Sequence, residues 1–146
     1  NLTGILAIQT GFPFTVTSGV DNARTGTGGQ RPDQLKDWRL PDDRSRGEKV
    51  LLWFDPAAFV VNALGTYGTA GRNSLRGPGS TTLNLGLHKD FPIRESFKFQ
   101  VRFETFNALN NVNLGLPNGN RSSSAFGRIT AAGDPRILQF ALRAAF

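Results

Sequence analysis

The last eleven residues set the tightest limit on what this chain can fold into. In Arg136-Ile137-Leu138-Gln139-Phe140-Ala141-Leu142-Arg143-Ala144-Ala145-Phe146, every second residue counted back from the end is apolar: Phe146, Ala144, Leu142, Phe140 and Leu138. Gln139 and Arg143 stand between them, so one face is apolar and the other mixed. A period of two is the mark of a half-buried strand. The strand ends flush with the chain on an aromatic residue, whereas the termini of soluble domains usually fray into polar residues. Its length also suits a tilted strand crossing a bilayer, for which about 9–11 residues suffice.

A chain of 146 residues is ordinarily one domain. This one opens at Asn1, lacks Met and enters a strand pattern at once, so a fragment is expected, whose signal peptide, if any, lies upstream or has been removed. No run approaches the ~20 apolar residues of a transmembrane helix, which argues against a helical membrane protein but not against a barrel, whose signal is spread over alternating strands. Cysteine is absent, which removes disulfides, thiolate metal sites and a Cys nucleophile. The net charge of +6 would suit nucleic acid, but the charges do not cluster. Residues 20–81 hold nine basic and seven acidic side chains in mixed order, and no nucleic-acid partner is expected.

Four strands are expected, at 2–17, 82–91, 96–107 and 136–146, with long loops at 18–81 and 108–135. In the first, Leu2, Gly4, Leu6 and Ile8 alternate with Thr3, Ile5, Ala7 and Gln9, and Gly11-Phe12-Pro13 marks a bulge or an exit from the sheet. In the second, Leu83, Leu85 and Leu87 oppose Asn84, Gly86 and His88. The third is the cleanest: Phe97, Phe99, Val101 and Phe103 face one way, and Lys98, Gln100, Arg102 and Glu104 the other. Pro92-Ile93-Arg94-Glu95 makes a short turn. Within the first loop, Asp55-Pro56-Ala57-Ala58-Phe59 has an N-cap and a proline at the first helical position, which predicts one short helix. Phe126-Gly127-Arg128-Ile129-Thr130 is expected to extend a strand.

Connections that alternate long, short, long match outer-membrane barrels, which have short periplasmic turns and long extracellular loops. The fold class expected is therefore all-β: four antiparallel strands in sequence order, an open segment of a transmembrane β-barrel. Leu83, Leu85, Leu87, Phe97, Phe99, Val101 and Phe103 are expected to face lipid. His88, Lys98, Gln100, Arg102, Glu104 and Arg143 are expected to face the lumen.

The blocks Gly11-Phe12-Pro13-Phe14-Thr15-Val16, Tyr67-Gly68-Thr69-Ala70-Gly71-Arg72-Asn73-Ser74-Leu75-Arg76-Gly77-Pro78-Gly79 and Phe103-Glu104-Thr105-Phe106-Asn107-Ala108-Leu109-Asn110-Asn111 carry a resemblance. With Phe126-Gly127-Arg128-Ile129, Gly133-Asp134-Pro135-Arg136 and the final strand, their order resembles the C-terminal end of TonB-dependent outer-membrane receptors. The group it looks like is the Oar-like receptors with a carboxypeptidase-regulatory-like domain, and the similarity runs from about residue 2 to 146. It implies a parent barrel of about 22 strands enclosing a plug, energised through a TonB box that this chain does not carry. It also implies a bacterial outer-membrane location and partners in lipid, the remaining strands, the plug, TonB and the barrel assembly machinery. Leu138, Phe140, Leu142, Ala144 and Phe146 resemble the signal that machinery reads. A passive porin-like barrel and a secreted β-sandwich binding or adhesion domain are the rivals.

No enzyme is expected and no catalytic, cofactor or metal residue is assigned. Gly26-Thr27-Gly28-Gly29 and Gly77-Pro78-Gly79 lack the Lys-Ser/Thr of a phosphate-binding loop and read as loop turns with positive φ. His88 is the only histidine, too little for a metal site or a Ser/His/Asp set. Lys98, Arg102, Glu104 and Arg143 form the best constellation, read as charges lining a water- or plug-filled interior.

Overall fold

The computed structural model describes residues 1–94 and 97–145, with Arg94, Phe97 and Ala145 as backbone alone. The strands in chain order are β1 (Leu2–Gln9), β2 (Pro13–Phe14), β3 (Asp33–Gln34), β4 (Phe59–Val60), β5 (Leu75–Arg76), β6 (Ser80–Arg94), β7 (Phe97–Phe106) and β8 (Ile137–Ala145). Two compact units share them: a sheet unit of Asn1–Thr10, Gly79–Asn113 and Gly133–Phe146, and a loop unit of Gly11–Pro78 and Leu114–Ala132.

The sheet unit is one open, four-stranded sheet in the order β1-β6-β7-β8, every pair antiparallel. The expected strands are present with changed bounds. The first stops at Gln9, because Pro13 has no N–H to give a ladder and Pro13–Phe14 instead pairs with Leu75–Arg76 in the loop unit. The second runs on to Arg94, so the turn read at 92–95 is mostly strand, with a register shift between Pro92 and Arg94. Glu95 and Ser96 lie outside the described residues, as does Phe146.

Asparagines fasten the end of the sheet from which both long connections leave. Asn107, at φ 50° and 4% exposed, receives an N–H from Asn111 at 3.0 Å. Its amide donates to the carbonyls of Asn111 and Asp134 at 2.9 and 3.1 Å. Its backbone N–H donates to Asn84 Oδ1 at 3.0 Å. Asn111 donates to the Thr81 carbonyl at 3.2 Å, and Asn110 Oδ1 accepts from Arg136 N at 3.2 Å. One Asn-rich turn therefore closes the backbone groups of three chain segments that no ladder satisfies.

The stretches read as loops fold into a unit with a core. Val16, Phe54, Ala58, Phe59, Ala70, Leu75 and Phe126 are buried together, with Phe14, Trp38 and Trp53 packed against them. Phe54 meets Phe59 and Phe126 edge-on, with ring centroids 5.8 and 5.0 Å apart, the arrangement aromatic quadrupoles favour. Phe126 and Ile129 are buried around Gly127 at φ 81°; they belong to no strand, contrary to the extension expected there. The expected helix at Asp55 is a single 3-10 turn, Pro56–Ala58, capped by Asp55. A helix the sequence reading missed, α1 (Arg46–Leu51), starts at a capping box. There Ser45 Oγ accepts from Glu48 N and Glu48 Oε2 accepts from Ser45 N at 2.8 Å.

The glycines divide by role. Gly26 takes the positive φ expected of it, but Gly28, Gly29, Gly77 and Gly79 do not. Gly77 instead lets two chain segments touch: its N–H donates to the Phe12 carbonyl at 2.9 Å, and a Cβ on the neighbouring Gly11 would collide with the Gly77 carbonyl.

Candidate functional site

The pairing register sorts the sheet into two faces. Leu2, Gly4, Leu6 and Ile8 of β1 stand opposite Leu87, Leu85, Leu83 and Thr81 of β6. Leu85, Leu87, Lys89 and Phe91 stand opposite Thr105, Phe103, Val101 and Phe99 of β7. Those in turn face Leu138, Phe140, Leu142 and Ala144 of β8. Strand alternation puts all of these side chains on one side. Phe103 and Phe140 stack across their strands at 4.8 Å. The face is open: Leu2 and Phe140 are 74% exposed and Leu142 69%. A β-sandwich would bury such a face under a second sheet, so the soluble rival loses its main support. Leu83, Leu85, Leu87, Phe99, Val101 and Phe103 share this face; Phe97 belongs to β7, but its side chain lies outside the described residues.

Lys89 breaks the apolar series, a position the sequence reading passed over although its parity was plain. Its ammonium lies 5.9 Å from the Phe91 ring centroid, near the Arg94 end of β6. A long cationic side chain at the edge of an apolar band can keep its head in water.

The other face is polar. Glu104 pairs with Gly86 and Gln139, Arg102 with His88 and Ala141, Gln100 with Asp90 and Arg143, and Lys98 with Pro92 and Ala145. The six residues read as lumen-facing, His88, Lys98, Gln100, Arg102, Glu104 and Arg143, therefore share one side. Gln100 donates to Asp90 at 2.6 Å, and Arg102 lies 3.6 Å from Glu104. Lys98 and Arg143 line a shallow recess with Asp90 and Gln100. His88 Nδ1 has no hydrogen-bond partner among the described residues. Among those residues no three His, Asp or Glu side chains are arranged to hold a metal ion. No helix there is long and apolar enough to cross a membrane.

A family model for an outer membrane beta barrel domain matches residues 1–139. The chain belongs to the outer membrane beta barrel domain family. No curated protein and no solved structure matches it. The barrel domain resides in the bacterial outer membrane, where its four antiparallel strands are wall. Four strands are half of the roughly eight that close the smallest such barrels, and the sheet is accordingly open.

Carboxylates of the loop unit hold its turns. Asp21 lies below the usual carboxylate range because the Thr25 N–H donates to it, reinforced by Gly26 N–H and the Gln30 amide. The Arg39 N–H does the same for Asp37, and the Ser45 hydroxyl for Glu48. Asp55 is lowered first by its hydrogen bond from Lys36, an ion pair of 2.6 Å, and then by Ala57 N–H. The sequence reading assigned these residues no role beyond the Asp55 cap.

Proposed function

We propose that this barrel domain is the C-terminal part of a TonB-dependent receptor of the Oar-like group, working in energy-coupled uptake. In this reading β8 is the closing strand and both long connections face the outside. The apolar face, from Leu83 across Phe103 to Phe140, meets lipid. The polar face of His88, Lys98, Gln100, Arg102, Glu104 and Arg143 lines the interior against a plug carried elsewhere in the parent protein. Leu138, Phe140, Leu142, Ala144 and Phe146 are offered to the assembly machinery, and TonB acts on the plug. The chain contributes no catalytic step and takes no nucleic acid.

The observation that carries this reading is the core of the loop unit. A passive pore needs only a constriction, whereas selective capture needs a surface of fixed shape, and Phe54, Phe59 and Phe126 give the long connections one. The resemblance of the Gly11, Tyr67 and Phe103 blocks to receptor ends supports the same choice. The test is solute flux through the intact protein in liposomes, beside substrate uptake by whole cells with and without a proton-motive force. A plugged receptor leaves liposomes closed to small sugars and loses uptake when the force is dissipated. Free flux at porin rates, with uptake indifferent to the force, would overturn the reading in favour of a passive barrel.

A further inference from the structure

Both tryptophans of the chain line a single cavity of about 310 Å³ in the loop unit. Its walls are set by the main chain. The Trp53 indole N–H donates to the Arg76 carbonyl at 2.8 Å. Arg44 is fixed by the carbonyls of Pro41 and Leu52, at 3.0 and 2.6 Å. Lys49 Nζ donates to the Asp42 carbonyl at 2.6 Å, and this leaves its other N–H groups free. Arg76 spends one Nη1 contact on the Gly11 carbonyl at 3.2 Å and keeps the rest of its fork. Side chains held this way lose little freedom when a ligand arrives.

The charge of the cavity is lopsided. Arg39, stacked 4.8 Å over Trp38, is neutralised by Asp37 at 3.2 Å. Arg44 acts electrostatically on Glu48, whereas Lys49 and Arg76 form no salt bridge among the described residues. Asp42 is the one acidic residue of the lining. Unbalanced cations gathered in a partly enclosed site draw an anion. With its N–H committed, Trp53 offers a ligand an apolar surface, and Leu40 adds to it. A cavity near the lower end of the ~300–1,000 Å³ ligand range suits one ring. The cavity thus suits a ring with an apolar face, an anionic group for the cations, and hydroxyls for Asp42 to accept from. An acidic pyranose has all three: its axial C–H bonds make one side apolar, and its rim is polar.

We propose that this cavity binds a uronic-acid residue of an acidic oligosaccharide, with the sugar's C–H face against Trp53 and its carboxylate on Lys49 and Arg76. The proposal rests on the receptor reading only for placing the cavity outside the cell. Binding is measured on solubilised protein, so its failure and the failure of energy-coupled uptake are read separately.

The experiment is calorimetric titration of the intact protein in detergent with trigalacturonate, its fully methyl-esterified counterpart and triglutamate. Trigalacturonate is expected to bind, more weakly as salt rises. The ester, without its charge, and the peptide, without its ring, are each expected to bind at least about tenfold more weakly. The double variant Lys49→Gln, Arg76→Gln should lose at least about tenfold for trigalacturonate while keeping the heat-modified gel mobility of a folded barrel. Absence of trigalacturonate binding, equal binding of the ester or the peptide, or an unaffected double variant would each overturn the proposal. The ester and peptide arms use unaltered protein, so they decide the matter even if the variant fails to fold.

Discussion

Phe54 and Phe126 meet edge-to-face with ring centroids 5.0 Å apart, although they come from two connections separated in sequence by β6 and β7. Around this contact the two connections share main-chain hydrogen bonds: Trp53 N to Gly127 O and Arg121 N to Thr17 O, each 2.8 Å, and Ile129 N to Val50 O at 2.9 Å. Arg121 Nε also donates to the Phe59 carbonyl at 2.9 Å. The two loops are one folded body.

Phe126→Ala should therefore loosen both connections at once. Removing a buried ring costs about 3–5 kcal/mol, a large share of what a unit of this size can hold. Limited proteolysis of the intact protein should gain cuts in both 18–78 and 114–132, with the barrel's heat-modified mobility retained. Cuts confined to 114–132 would mean that the connections fold separately.

Asn107→Ala should act on the sheet instead. The substitution removes the amide's two donated bonds and one accepted bond, leaving buried partners unsatisfied at about 1–3 kcal/mol each before relaxation. The residue also sits at positive φ, where Ala is strained and Asn is tolerated. Urea unfolding of the refolded barrel should shift to a lower midpoint, the unfolding free energy falling by several kcal/mol, with Asn107→Gly recovering only the backbone part.

The sheet was legible from sequence because alternation over β6, β7 and β8 fixes which side each residue occupies, and a register slip would invert every one. The loop unit was not. Its core residues Val16, Phe54, Ala70 and Phe126 are scattered among Gly, Pro and charged residues with no period, and their meeting depends on long-range contacts that local pattern does not encode. One local signal was available: Ser45-Arg46-Gly47-Glu48 has the spacing of a capping box, and it marks α1. The cavity between Trp38 and Trp53 had no such signature, since its cations are brought together only by folding.

Acid should loosen the loop unit before it touches the sheet. Asp55 titrates below its usual value near 3.8, mainly because of Lys36. Its contribution is fully present above that value and is lost as pH falls through the lower folded value. Asp21, Asp37 and Glu48 shift the same way, so they add to the effect. Asp55→Asn should make the unit less stable at neutral pH and flatten its response below about pH 4. Proteolysis by an acid-active protease across that range measures both; an unchanged acid response would remove Asp55 from the account.

The last test separates the faces of the sheet using strand neighbours. Phe103 lies on the apolar face between Leu87 and Phe140, and Gln100 lies on the polar face between Asp90 and Arg143. If the apolar face meets lipid, Phe103→Arg sets a guanidinium in hydrocarbon at about 2–4 kcal/mol near the midplane. It also loses the ring contact with Phe140, worth about 0.5–1.5 kcal/mol. Gln100→Arg adds the same charge to a wetted wall beside Asp90 and should be nearly neutral. Reversible unfolding of the intact barrel in lipid vesicles gives both values under one condition. Equal costs at the two positions would mean that the faces do not differ in solvent, and the assignment of lipid and lumen would fall with them. The opposite order would invert it, placing the polar row of His88, Lys98 and Arg102 against lipid, where charge is least tolerated.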